Sequence, residues 1–470
     1  MRAVDLKSIT FSYDERNKIF HKASFEAEYG EISLVSGYSG EGKSTLISII
    51  SGIIPNITYG SIEGEVLIDG QSIKNKKMGD VCRKVGIVMQ NAEAQIVNKY
   101  VEDEVAFACE NLSMPSEKIE RQIQIVLSLM GLNRKDLTRT LSGGQKQRLI
   151  TASTLAMGQK ILILDEPLAN LDKAGSEKLM GVLKSLAKSG YCIIIVEHRL
   201  DVVLPYVDRV WHVGNKAITE VNDKEKYLLS QTMIIEDEVK SCPSNNVLFK
   251  LNNVSYSIKG NDILSNVSFT INKGERVVLL GENGVGKTTL LRIISRLQKC
   301  TSGCVEQFIN PRFDKKIYSK KEWFKKVGIV YQNPDYQLFM STVRSEIAFT
   351  VKDDNKIESI LESFNLKEIA NRHPQSLSEG QKRRLTIAVV VAQDPDVLIL
   401  DEPTVGQDYK GLRELVQIVN NLHEINHKTI ITITHDARCA RALCDKAVIL
   451  ENNSTVKVGG KDLVDTFFSI

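Results

Sequence analysis

Two stretches of this chain hold residues suited to gripping phosphate. Gly37-Tyr38-Ser39-Gly40-Glu41-Gly42-Lys43-Ser44 and Gly281-Glu282-Asn283-Gly284-Val285-Gly286-Lys287-Thr288 both fit the pattern G-x-x-x-x-G-K-[ST]. Glycines let backbone N–H groups approach phosphate oxygens closely, and the positive end of the helix that follows adds to the attraction. Gly37, Gly40, Gly42, Gly281, Gly284 and Gly286 would form the two cradles. Lys43 and Lys287 reach the terminal phosphates, Ser44 and Thr288 offer hydroxyls to Mg²⁺, and Thr45 and Thr289 come next on the same helices. Each pattern follows an apolar run, 32–35 and 277–280, as a strand-loop-helix unit requires. One such loop fits a kinase, a GTPase or many ATPases; a duplicated set suggests two ATPase lobes working as a pair.

Further chemistry repeats downstream. Asp165 and Asp401 close the runs Ile-Leu-Ile-Leu-Asp and Val-Leu-Ile-Leu-Asp. A carboxylate at the C-terminal tip of a buried strand lies where ligands bind in open parallel sheets, and it can hold Mg²⁺ directly or through water. Glu166 and Glu402 come next and can orient or deprotonate an attacking water, although an acid at a helix start can also simply complement the dipole. Leu141-Ser142-Gly143-Gly144-Gln145 and Leu377-Ser378-Glu379-Gly380-Gln381 each precede a helix rich in basic residues. Their serines would cap those helices and, with the glycines, make an anion-binding helix terminus.

The elements that must position these groups come in two copies. Lys43 and Lys287 stand 244 residues apart, whereas Glu166 and Glu402 stand 236 apart, so the second copy is shorter between phosphate loop and carboxylate. The spacing from Leu141 to Glu166 and from Leu377 to Glu402 is 25 in both. A rigid stretch beside a slack one fits a fixed framework with variable surface loops. Residues 6–13 and 249–256 alternate apolar and polar side chains, a strand signal at the start of each copy. Apolar runs at 161–164, 193–196, 397–400 and 430–433 alternate with longer helical stretches, which predicts buried parallel strands with crossover helices. The polar, Pro-containing stretch 241–246 marks the seam.

Bulk properties narrow the function. The 470 residues carry 61 basic and 58 acidic side chains, a net charge of +3 that argues against a nucleic-acid coat or a polybasic membrane anchor. Eight cysteines lie scattered, Cys300 and Cys304 reading as two unrelated thiols, as in a reducing compartment. The longest uncharged stretch, 44–62, is broken by glycine, proline and asparagine, so no spanning helix is expected and a membrane role would need another chain.

The whole set, in two copies over nearly the full chain, resembles the ATP-binding cassette ATPases. The resemblance implies an α/β fold: two tandem P-loop NTPase domains, each with a mostly parallel core sheet, an antiparallel β subdomain and a helical subdomain. The expected bounds are 1–235 and 247–470, with a linker at 236–246. It also implies head-to-tail pairing, one site combining Lys43, Ser44, Gln90, Asp165, Glu166 and His198 with Ser378 and Gly380. The other would combine Lys287, Thr288, Gln332, Asp401, Glu402 and His435 with Ser142 and Gly144. Gln145 and Gln381 complete the two signature segments. Gln90 and Gln332 match the family's glutamine that senses Mg²⁺ and water, and His198 and His435 its contact to the terminal phosphate. Tyr13 and Tyr256 match its adenine-stacking aromatic, or else serve as core aromatics of their strands. The implied ligands are ATP and Mg²⁺. Glu379, in place of a glycine, and Gln407, in place of the more usual leucine, depart from the pattern and make the sites unequal.

Segments after the glutamines point further. Gln332-Asn333-Pro334-Asp335-Tyr336-Gln337-Leu338-Phe339, and Gln90-Asn91-Ala92-Glu93-Ala94-Gln95-Ile96 in the first copy, look like those of energy-coupling-factor importer ATPases. So do Val196-Glu197-His198-Arg199-Leu200-Asp201 and Pro403-Thr404-Val405-Gly406-Gln407-Asp408. That likeness implies a peripheral protein at the cytoplasmic membrane face, serving an importer of vitamins or trace metals. Its partners would be a transmembrane coupling protein and a small substrate-binding membrane protein, with one fused chain per transporter, no homodimer and no nucleic acid. A twin-cassette translation factor would need a long charged linker, a sugar-importer ATPase would have different glutamine segments, and a DNA-repair ATPase would need a long heptad arm.

Overall fold

The computed structural model describes residues 1–14, 17–169, 171–231, 246–308, 320–453 and 455–468. The chain divides into two units, Met1–Met233 and Ile234–Ile470. The expected linker 236–246 lies outside the described residues except for Asn246.

The first unit is organised by a six-stranded sheet in the order Ala217–Glu220, Arg209–Gly214, Ile32–Ser36, Cys192–Val196, Ile161–Asp165, Val85–Val88. Five strands run parallel and Ala217–Glu220 closes one edge antiparallel. Ile32–Ser36 and Cys192–Val196 are buried at every position, as strands covered on both faces must be. Period-2 alternation then sorts side chains between two cores. Leu162 and Leu164 point into the core shared with the helices, while Ile161 and Ile163 join the core under the antiparallel sheet. That second sheet runs Lys18–Glu28, Arg2–Ser12, Ser61–Ile68, Gln71–Ser72. The helical layer comprises Val101–Glu110, Ser116–Met130 and Gly143–Ala156.

The second unit repeats the plan. Its six strands run Val327–Val330, Val397–Asp401, Thr429–Ile433, Arg276–Leu280, Lys446–Glu451, Thr455–Gly459, and again Leu398 and Leu400 face one core, Val397 and Ile399 the other. Its antiparallel sheet has three strands among the described residues: Asn261–Asn272, Val247–Ile258 and Ser302–Gln307. Val343–Thr350, Asp354–Ser363 and Glu379–Val391 form its helical layer.

Topology explains why residues far apart in sequence become neighbours. The parallel strands end along one edge of the sheet. Ile32–Ser36 runs into the first phosphate loop, Ile161–Asp165 ends on Asp165, Cys192–Val196 stops two residues before His198, and Val85–Val88 stops two before Gln90. In the second unit the same edge gathers residues 281–288, Asp401, His435 and Gln332.

Candidate nucleotide sites

Each phosphate loop is held open by its own lysine. Lys43 is buried and donates from Nζ to the carbonyls of Gly37 at 2.8 Å and Tyr38 at 2.9 Å. Lys287 does the same with Gly281 at 2.7 Å and Glu282 at 2.9 Å. Gly42 and Gly286 take left-handed φ values of 109° and 98° as N-caps of the helices Lys43–Ile50 and Lys287–Ile294, a conformation that glycine adopts without steric cost. Ser44 and Thr288 are exposed at that mouth. Thr45 is buried and shares a hydrogen bond of 3.0 Å with the Tyr13 hydroxyl. Tyr13 stands edge-on to Phe11, with half its surface exposed beside the loop, which suits a stacking platform. Tyr256 is less exposed and packs against the core beneath its sheet, and Thr289 is half-buried on its helix.

The carboxylate pairs show local strain. Glu166 and Glu402 adopt φ of 47° and 48°, a region that bulky residues avoid and that is held by surrounding structure where it serves a site. Glu166 donates its N–H to Val196 O at 2.9 Å, and Glu402 to Ile433 O at 3.0 Å, so each turn is stitched to the neighbouring strand. The first carboxylate accepts from Gln90 Nε2 at 2.8 Å and lies 3.5 Å from His198 Nε2. The second lies 3.2 Å from His435 Nε2 and accepts the His435 N–H at 3.1 Å. The structure thus brings Gln90, Glu166 and His198 together in one unit, and Glu402 with His435 in the other. Burial alone would raise Glu166, but the His198 hydrogen bond, the His198 and Lys43 charges and the Gln90 bond hold it below the ordinary carboxyl value.

Asp165 and Asp401 behave oppositely. Burial, and then the neighbouring Glu166 carboxylate, push Asp165 up to about 7; burial raises Asp401 as well. Asp401 Oδ1 is buried without a hydrogen-bond partner among the described residues. An orphaned, buried carboxylate oxygen fits a hard cation with oxygen ligands. Among the described residues no group of three or more His, Cys, Asp or Glu is arranged to hold a metal ion. Mg²⁺ sharing its shell with phosphate oxygens suits this donor set.

The Asp165 shift has a testable sign. In the unfolded chain the carboxyl ionises near about 3.9. Between there and about 7 the folded state therefore binds more protons than the unfolded state, and this group's contribution to stability falls as pH rises through that window. Asp165→Asn will flatten that slope in urea titrations of the nucleotide-free chain. Binding of Mg²⁺·ATP at pH 6.5, which needs the carboxylate, will release protons, read by calorimetry in buffers of different ionisation enthalpy.

Ser142 and Ser378 cap the helices Gly143–Ala156 and Glu379–Val391 through reciprocal capping boxes. Ser142 N donates to Gln145 Oε1 at 2.9 Å and Gln145 N to Ser142 Oγ at 3.3 Å; the Ser378–Gln381 pair repeats this at 3.1 and 3.4 Å. Gln145 and Gln381 thus shape the helix terminus with their side-chain oxygens, leaving Gly144 and Gly380 in the first turn. Gln407 is buried; a β-carbon on Gly380 would lie 3.2 Å from its Oε1, and its Nε2 has no partner among the described residues.

Other supporting residues escaped the sequence reading. Glu197 is buried and accepts the N–H groups of Leu168 at 2.8 Å and His198 at 2.9 Å, tying the histidine to the turn after Glu166. Glu104 accepts from Val97 and Asn98 N–H at 3.0 and 2.7 Å, and Glu346 from Phe339 and Met340 at 2.5 and 2.6 Å, clamping the loops beyond Gln90 and Gln332. For Glu104 and Glu346 the only sequence signal is an acid inside an otherwise apolar helical face, and for Glu197 an acid just past an apolar strand.

Comparison with known proteins agrees with this geometry. The family model described as "ABC transporter" matches residues 20–169 and 264–405. The "Putative HMP/thiamine import ATP-binding protein YkoD" of Bacillus subtilis (strain 168) is 30% identical over 95% of this chain and 89% of its own length. A "Putative ABC transporter ATP-binding protein" of Treponema denticola is 32% identical over 97% and 96%. Among solved structures, a model of ribosome-bound archaeal Pelota and ABCE1 aligns with a TM-score of 0.71 at 19% identity over 96% of this chain and 78% of that one. At that identity the likeness speaks for the tandem fold alone. Phosphate loops, strand-tip carboxylates and family match coincide in both halves, and the chain belongs to the ABC transporter family as a two-domain ATP-binding protein with ATPase activity.

Proposed function

We propose that this chain energises a prokaryotic importer of the energy-coupling-factor type, for a vitamin, a vitamin precursor or a trace metal. Each ATP is gripped by a phosphate loop, residues 37–44 or 281–288. Glu166 or Glu402 takes the proton of the attacking water, while His198 or His435 holds that carboxylate in place and contacts the terminal phosphate. Ser44, Asp165 and Gln90, or Thr288, Asp401 and Gln332, would hold Mg²⁺, which would supply positive charge to offset that of the phosphates. ATP binding and hydrolysis drive the movement of separate membrane partners at the cytoplasmic face. One chain supplies both units, so a purified complex with two copies would overturn that stoichiometry.

The carrying observation is the pair of surfaces beyond the glutamines. In the first unit a cleft of about 630 Å³ is lined by Val97, Phe107, Ala108, Leu112, Arg83 and Asp80. In the second unit, exposed Phe339 packs edge-to-face on exposed Phe349 at 5.3 Å, near exposed Tyr336. Buried Glu104 and Glu346 hold the backbones of Val97 and Phe339, so these apolar groups are presented to solvent by clamped loops. A preformed apolar cleft next to a nucleotide sensor suits a short helix of a partner. The partner is taken to be membrane-embedded because the similar Bacillus subtilis protein is named for import. Among this chain's described residues no helix is long and apolar enough to cross a membrane.

The test is purification of the tagged chain from native membranes in mild detergent, with and without Phe107→Asp and Phe339→Asp together. A multi-spanning protein plus one or more small apolar ones should accompany the parent chain and be lost from the variant, which should still melt cooperatively. Recovery of ribosomes, or of no membrane protein under conditions that preserve known complexes, would overturn the importer reading.

A further inference from the structure

The two copies differ at one buried position behind the glutamine loop. In the second unit Arg383, on the helix Glu379–Val391, is only 2% exposed. It donates from Nη1 to Tyr331 O at 2.8 Å and from Nη2 to Gln332 O at 2.7 Å. The position 236 residues earlier, on the helix Gly143–Ala156, is Gln147. Gln147 is fully buried, and neither its Oε1 nor its Nε2 has a hydrogen-bond partner among the described residues. A planar guanidinium spans two successive carbonyls with charge-assisted bonds, which a shorter, neutral amide does not reproduce.

A neighbouring contact acts as an internal control. Lys146 pairs with Glu93 at 2.8 Å, and Lys382 pairs with Asp335 at 2.9 Å. Both helices therefore hold the far side of their glutamine loop by an ion pair, and the guanidinium fork at the glutamine itself belongs to the second copy.

We propose that Arg383 is a positioning residue for hydrolysis at the Glu402 site: it fastens the backbone of Gln332 to the helix that begins at Ser378, so loop and helix move as one piece. The first copy, with Gln147 there, keeps the Lys146–Glu93 tie but lacks this fork at its glutamine. The inference rests on the reading of Gln332 as the residue that senses water and Mg²⁺ beside Glu402. Among the described residues both hydrogen bonds of Arg383 go to backbone carbonyls of the glutamine segment, so it acts by positioning Gln332, and its loss should slow the chemical step more than it weakens ATP binding.

The experiment uses the full chain. Arg383→Gln installs the residue that the first copy already carries in an equivalent helix. In a Glu166→Gln background, where turnover reports the Glu402 site, it should lower kcat about tenfold while KM for ATP stays within about twofold. In a Glu402→Gln background, where turnover reports the Glu166 site, the same substitution should lower kcat by a clearly smaller factor. Arg383→Lys, which restores one of the two donors, should recover part of the loss. Hydrogen exchange over 331–335 should accelerate in Arg383→Gln, whichever carboxylate catalyses. Undiminished kcat in the first background, equal losses in both, or unchanged exchange overturns the proposal. Turnover that survives Glu166→Gln and Glu402→Gln together overturns instead the reading of the two glutamates, and the exchange measurement still decides the Arg383 contact.

Discussion

Glu166→Gln and Glu402→Gln together will lower ATP turnover by roughly 10²–10⁴-fold, the contribution expected of a positioned general base. Glutamine keeps the size of the side chain and its acceptor oxygen but cannot take up the proton of the attacking water. The local geometry is expected to survive. The φ of 47° or 48° is set by the N–H bonds to Val196 O and Ile433 O, which do not involve the carboxylates. A loss of turnover with ATP affinity preserved is therefore the expected pattern, read as kcat against KM. Each single substitution should leave the other site working. Because Arg383 grips the backbone at Gln332 while the buried Gln147 stands at the matching position of the first copy, the two single variants should retain unequal rates. A single variant that turns over ATP like the parent would mean that its glutamate serves only structure.

The phosphate loops, strand-tip carboxylates and histidines were legible in the sequence because each is short, local and doubled. A match of eight consecutive residues tells where N–H groups point, and an apolar run ending in Asp-Glu-Pro tells where a buried strand stops. The period-2 starts of both copies likewise became the strands Arg2–Ser12 and Val247–Ile258. What stayed hidden depends on long-range packing. Strand order, with Ile32–Ser36 between Arg209–Gly214 and Cys192–Val196, leaves no local signal, since every central strand is an equally apolar run. Arg383 looked like one more cation in a basic helix; only tertiary structure reveals that it is buried and reaches carbonyls 51 and 52 positions away. Glu104, Glu197 and Glu346 were hidden in the same way, because a buried acid that accepts backbone N–H groups differs from a solvated one only by its surroundings. Gln407 was noticed as a departure from pattern, but its packing against Gly380 was not derivable.

The second large effect concerns the first glycine of each loop. Gly37→Ala and Gly281→Ala will each destabilise their unit by roughly 3 kcal/mol or more and abolish tight nucleotide binding there. A β-carbon on Gly37 would lie 2.1 Å from Val213 O, and one on Gly281 would lie 2.6 Å from Leu450 O. Both obstacles are backbone atoms of sheet strands, which cannot rotate aside as a side chain can. The φ values of 150° and 147° add conformational strain for any L-residue. Relief requires the loop to back away from the sheet, and the carbonyls of Gly37 and Gly281 that hold Lys43 and Lys287 would move with it. Gly40 and Gly284 provide the control: φ is again positive, at 86° and 85°, but nothing lies within 4 Å of the new methyl group. Alanine there should cost only about 1–2 kcal/mol, the conformational part alone. Urea unfolding together with binding of a fluorescent ATP analogue separates the cases. If Gly37→Ala behaves no worse than Gly40→Ala, the loop is not braced against the Arg209–Gly214 strand, and its shape must come from its own glycines. If the large difference is found, the sheet edge itself sets the loop, which explains how two loops with different intervening residues can hold their lysines in the same pose.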